Sequence, residues 1–131
     1  MLTRDKALSF DDITTKQITV PESIPVWGGE TLYIKQLTRG QQDAYNNRLF
    51  ASMRMKQEAK GKHQDITGMT MYGHDAWLVV QGAVDENGAP LFKASDIDEL
   101  NKKSGEAIGW IAKEIVLFSG MADDVEEEIK N

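Results

Sequence analysis

The spacing of apolar side chains changes period along this chain, and each change marks an element. Gln17-Ile18-Thr19-Val20 places an apolar group at every second position, the period of a half-buried strand. Pro21 and Pro25 cannot donate to a sheet ladder, which makes residues 21–30 an irregular connection or edge. Within it, Trp27-Gly28-Gly29 supplies a large apolar anchor followed by two residues free to take positive φ. A second alternating run follows, with Leu32 and Ile34 facing one way and Thr31, Tyr33 and Lys35 the other. The strand pair thus occupies about residues 16–36. Beyond it the period lengthens. The Thr38 hydroxyl can reach the amide three residues on, and Gln41 stands where the reciprocal capping-box bond is made. A helix is therefore predicted over about 39–59, with Tyr45, Leu49 and Met53 stepping by four along one face and Ala44, Phe50 and Ala51 beside them.

From Lys56 to Thr70 the periodicity disappears, which predicts a mostly mobile loop bracketed by Gly61 and Gly68. A second helix is predicted over about 71–84, with Ala76, Trp77, Val80, Ala83 and Val84 on its core face. Asp85-Glu86-Asn87-Gly88 is a turn signal, after which Leu91 and Phe92 plug back into the core. Ser95 is predicted to cap a short helix over 96–102, with Asp98 in the helpful third position. Ser104 caps the last one, over 105–119, where Ile108, Ile111, Ala112, Ile115 and Phe118 make a broad apolar stripe and Gly120 supplies the C-cap. The pattern is α+β: a mainly helical single domain with a small N-terminal antiparallel strand pair. Residues 1–14 read as an arm, either a helical turn that packs on a neighbour or a frayed end. Residues 15–120 form the domain, and 121–131 an acidic C-terminal segment. The expected core is Trp77, Val80, Leu91, Phe92, Ile108, Ile111 and Ile115.

At 131 residues the chain is long enough to bury a real core without staples. It contains no cysteine, which removes disulfides, Cys-ligated zinc and thiol catalysis. No apolar run approaches the length of a membrane span, and MLTRDKALSFDD has acids where a signal peptide would be apolar, so the chain is expected to stay where it is made. The formal charge is −6, of which −4 lies in the last ten residues. That balance argues against general nucleic-acid binding, where a basic face would dominate.

Candidate chemistry is sparse. His63 and His74 are the two neutral-pH bases, with no HxxxH or HExxH spacing, and read as surface histidines. Asp85-Glu86-Asn87-Gly88 lacks the alternating ligands of a calcium loop. Gly28-Gly29 is not followed directly by a lysine or a helix, as a phosphate cradle would be. The pairs Asp11-Asp12 and Asp123-Asp124 have no apolar pocket to raise a pKa. Arg54, Lys56, Lys60 and Lys62 form a basic patch that reads as a solvated helix end. Neither an enzyme nor a cofactor or metal site is expected. The methionines are more informative. Met53, Met55, Met69 and Met71 flank one connection, and flexible, polarizable side chains suit a surface that accepts varied apolar partners. They are the candidate partner-binding residues, against the simpler reading that Met53 and Met71 fill core gaps.

The succession strand, Trp-Gly-Gly connection, strand and capped helix resembles the short tail assembly chaperones of long-tailed, lambdoid bacteriophages. The residues that carry it are Val20-Pro21, Trp27-Gly28-Gly29, Thr31 to Gln36, Leu37-Thr38 and the polar helix from Gln41. VDENGAPLF (84–92), SDIDEL (95–100) and the acidic end VEEEIKN (125–131) continue it. PESIPV departs from the family by lengthening the connection before Trp27.

The resemblance implies a non-enzymatic protein of the host cytoplasm, not retained in the mature virion. It would bind the tape measure protein and keep that long helical chain soluble until tube subunits polymerise around it. It also implies a translational frameshift near the stop, giving a minority product that engages the tail tube protein. Lys130-Asn131 permits such a slip, since lysine can be AAA and asparagine begins AA. Trp27, Gly28, Gly29, Leu37 and Thr38 would be structural motif residues, and self-association through Leu2, Leu8 and Phe10 is expected. A structural tail-completion or connector subunit of the virion is the alternative of similar size. A small regulator binding nucleic acid through the basic patch is a third, disfavoured by the charge.

Overall fold

The computed structural model describes residues 1–60 and 73–121, with the backbone alone over 54–60. Among the described residues the fold is α+β, mainly helical, with a three-stranded antiparallel sheet in the order β1-β2-β3. β1 (Thr15–Thr19) and β2 (Thr31–Lys35) pair from Thr15 opposite Lys35 to Thr19 opposite Thr31. That register puts Lys16, Ile18, Leu32 and Ile34 on one face. Ile18 and Ile34 are buried there, and Lys16 lays its ammonium 4.8 Å from the centre of the Phe118 ring.

The lengthened connection leaves the strand register regular because it closes on itself. Val20 donates to the Glu30 carbonyl and accepts from the Gly29 amide, both at 2.8 Å, while Gly28 donates to the Ile24 carbonyl at 2.8 Å. Val20 and Ile24 are buried with Ala107, and Trp27 and Trp110 pack alongside. At the tip, the Trp27 amide donates to the Pro25 carbonyl at 2.8 Å, and Val26 between them has φ of +70°. This is a γ-turn of the strained, positive-φ form, with a β-branched residue where the chain disfavours one. Val26 is 95% exposed, so it recovers nothing by packing. Val26→Gly is accordingly expected to stabilise the protein by about 1 kcal/mol, measured as a raised midpoint in denaturant. An unchanged or lowered midpoint would refute it.

α2 (Arg39–Lys60) begins at the capping box. Gln41 N donates to Thr38 Oγ1 at 3.1 Å, and Thr38 N to Gln41 Oε1 at 3.0 Å. The same Gln41 oxygen accepts from Lys35 Nζ at 2.8 Å, and Gln41 Nε2 donates to Gln81 Oε1 at 2.9 Å, tying sheet, α2 and the next helix together. α2 reaches Lys60, so helix covers the first part of the stretch expected to be loop; residues 61–72 lie outside the described ones.

α3 (His74–Gly82) packs on α5 (Gly105–Phe118), joining Leu78, Val79 and Val80 to Ile108, Ile111 and Ile115. The helix expected to run to 84 stops at Gly82. Ala83–Val84 is instead β3, with Ala83 opposite Ile34 and Val84 opposite Tyr33. The open edge of β2 supplies ladder partners, and β-branched Val84 suits them better than a helix end. The expected turn folds β3 back: Asp85 Oδ1 accepts from the Asn87 and Ala89 amides, and Gly88 takes φ of +83°. Val84 then bridges to Pro90, and the Leu91 amide donates to the Ala83 carbonyl.

Of the seven expected core residues, Val80, Ile108, Ile111 and Ile115 are buried, and Trp77 and Phe92 pack partly buried against them. Leu91 is a correction. Held at the hairpin end by its amide, it lies 47% exposed while its neighbour Phe92 takes the core position. Ser95 is another: it lies inside a 3-10 turn (Ala94–Asp96), and it is the Asp96 carboxylate that accepts from the Lys93 amide at 2.8 Å. α4 (Ile97–Leu100) follows, and Ser104 caps α5 as expected, accepting from the Ala107 amide at 3.2 Å. At the far end the Gly120 amide donates to Leu117 and the Met121 amide to Val116, a Schellman closure with Gly120 at φ of +75°. Met121 packs against the core; 122–131 lie outside the described residues.

The arm contains a helix, α1 (Arg4–Ser9), capped by Thr3 and with no buried residue. Leu2, Leu8 and Phe10 all remain exposed on it. Among the described residues no helix is long and apolar enough to cross a membrane.

Candidate functional site

The five motif residues carry backbone geometry. Trp27 packs against both buried clusters, and Gly28 and Gly29 close the loop through their amides. Leu37 is buried, its amide donating to Ser119 Oγ at 2.9 Å, and Thr38 caps α2.

Of the four methionines, Met53 is described and is 61% exposed. It fills no core gap. Phe50 lies three positions earlier on α2 and is equally exposed, so the two side chains share one helix face in water. The side chains of Met55, Met69 and Met71 lie outside the described residues, as do Arg54, Lys56, Lys60, Lys62 and His63. Two large apolar groups stand side by side here because α2 is anchored elsewhere. Its start is held by the capping box, its middle by Tyr45 stacked on Trp77 (6.1 Å between centroids, 22° between planes), and Ser52 by a hydrogen bond to His74.

His74 corrects the surface reading: it is 5% exposed. Gly73, left-handed at φ of +82°, turns the chain onto α2, so the first side chain of α3 enters the interior. There Nε2 lies 3.0 Å from Ser52 Oγ, and the ring meets Tyr45 edge-on. Next to it, Asp75, Tyr45, Asn101 and Lys103 border a cleft of about 270 Å³ between α3 and α5. Burial pushes the Asp75 carboxyl above its ordinary pKa, with His74 pulling the other way. Burial also pushes the Tyr45 phenol up, and the nearby Asp75 charge adds to it. Both groups line the same opening. A second, apolar crevice of about 190 Å³ lies under Leu91, walled by Val20, Trp27, Leu32, Phe92 and Ile111.

None of the residues around the polar cleft stands out by spacing in the chain. They come from α2, the start of α3 and the α4–α5 connection, and only the fold brings them together. No protein-family model matches the chain, and neither the curated proteins nor the solved structures contain a match.

Proposed function

We propose that this chain is the short form of a phage tail assembly chaperone, a non-enzymatic protein that holds the tape measure protein soluble in the host cytoplasm. The observation that carries the reading beyond the motif resemblance is the exposed Phe50–Met53 face of α2. A long helical client exposes apolar stripes, and such stripes aggregate unless covered. An adaptable aromatic and thioether pair on a rigid helix covers them without consuming ATP. Met53 is the described member of the four-methionine surface expected around residues 53–71. The exposed apolar arm supports self-association along a long client, and a longer frameshift product would bring in the tail tube protein. The acidic balance disfavours nucleic acid as a partner.

Co-expression with the tape measure protein tests this. Phe50→Ser combined with Met53→Ser is expected to cut capture of the client at least about tenfold. Because both side chains already stand in water, the melting temperature should stay within a few degrees of the parent. Undiminished capture, or stoichiometric recovery of the protein from purified mature particles, would displace the reading in favour of a structural tail subunit.

A further inference from the structure

The crevice under Leu91 reaches the core. Val79, Ile108 and Ile111, all buried, line it together with the partly buried Trp27 and Phe92. Its volume of about 190 Å³ is enough for one large apolar side chain. A dry apolar cavity of about 150 Å³ already holds a benzene ring. Left unfilled, such a hollow deprives its lining side chains of the dispersion contacts that a close-packed interior supplies. Leu91, 47% exposed, carries the apolar surface out to the mouth.

One lip of the crevice is acidic. Glu30 is the one charged residue that lines it. The Glu30 carbonyl accepts from the Val20 amide at 2.8 Å, which fixes the lip while its side chain stands in water. The Glu22 carboxylate lies alongside, since a β-carbon on Gly29 would sit 2.8 Å from Glu22 Oε1. Neither acid belongs to an ion pair among the described residues. An apolar hollow with uncompensated acids at its lip complements an apolar side chain carried next to a base. The hollow is concave and of single-side-chain size, so it selects one anchor residue, whereas the convex Phe50–Met53 face covers a stripe.

We propose that this crevice docks one leucine or phenylalanine side chain of a partner polypeptide, with a neighbouring lysine or arginine of that partner meeting Glu30 and Glu22. None of the lining residues belongs to α2, and the test uses peptides, so its failure leaves the client reading of the Phe50–Met53 face untouched. A blocked peptide with one central leucine and a lysine three positions to either side is titrated into the full chain. The methyl signals of Val79, Ile108 and Ile111 in a proton–carbon correlation spectrum report on the hollow. They are expected to shift saturably, and the same peptide with glutamine in place of leucine should leave them unmoved. Glutamates in place of the two lysines should weaken binding at least about tenfold. Glu22→Lys combined with Glu30→Lys is expected to reverse that preference by at least about tenfold. Both side chains are exposed, so this variant should keep the parent's backbone spectrum. Indole is the third probe. Saturation by indole with neither charged peptide binding would assign a small free molecule and overturn the docking proposal. So would the absence of a saturable shift with up to about 5 mM of the lysine peptide, or an unreversed preference in the double variant.

Discussion

Gly28→Ala is expected to cost about 3 kcal/mol, one of the largest losses for a single added methyl in this chain. The new β-carbon would lie 2.7 Å from the Glu22 carbonyl oxygen, 2.9 Å from Glu22 Cα and 2.9 Å from the Ile24 carbonyl oxygen. All three are backbone atoms, so no side chain can rotate away. The loop cannot retreat as a unit either, because Val20 ties both its ends and Val20 and Ile24 are buried beneath it. Relief requires breaking the Gly28 to Ile24 hydrogen bond and lifting Trp27 from the core. In thermal unfolding the loss should appear as a fall in Tm of roughly 10 °C. A fall of only a degree or two would mean that the loop opens freely and that the Trp-Gly-Gly motif is not structural. The same loop thus combines strain at its exposed tip, where Val26 has φ of +70°, with tight packing at its base, where Gly28 sits.

The features legible in the sequence are those that a few adjacent residues decide. Thr38 with Gln41, Ser104 with the α5 amides, Gly120 at a helix end and the Asp85–Gly88 turn are each set by side chains reaching only a few positions, and all are found in place. The β1–β2 pair was legible for a related reason: two alternating runs close in sequence have few other partners. β3 was not. Two residues, Ala83 and Val84, are too short to show a period, and the helix before them supplies an apolar pattern that runs straight into them. What decides their state is Ile34 and Tyr33, about fifty residues earlier in the chain. Leu91 failed for the same reason, since its exposure depends on a hairpin that exists only once β3 has paired.

The candidate sites divide along that line too. Met53 was only half legible: it steps by four from Tyr45 and Leu49 along an apolar face, which suits a core-gap filler as well as a partner contact, and the fold leaves it exposed. His74 was not legible as buried, because a lone histidine after Gly73 carries no local signal of the turn that takes it inward. Arg48, Asp75 and Asn101 carry no local signal in the sequence that would single them out. Only the approach of α2, α3 and the α4–α5 connection places two of their donors out of reach of water and acceptor alike.

The helix pair that positions this cleft gives the second large effect. Gly82 lets α3 approach α5 so closely that a β-carbon there would lie 2.6 Å from Ile115 Cγ2 and 2.8 Å from Cδ1. Ile115 is wholly buried, so its methyls have no space to yield into. Gly82→Ala alone should therefore destabilise by about 2 kcal/mol, although alanine is the better helix former by nearly 1 kcal/mol. Ile115→Ala alone removes the methyls and leaves a cavity, a loss of about 3 kcal/mol. In that background the Gly82 substitution changes sign. The added methyl enters the vacated space, the helix propensity gain is kept, and the double variant should be more stable than Ile115→Ala by about 1 kcal/mol. Denaturant unfolding of the four proteins measures the coupling directly. Additive losses would show that α3 and α5 separate to accommodate the methyl, and that the contact at Gly82 does not hold their spacing.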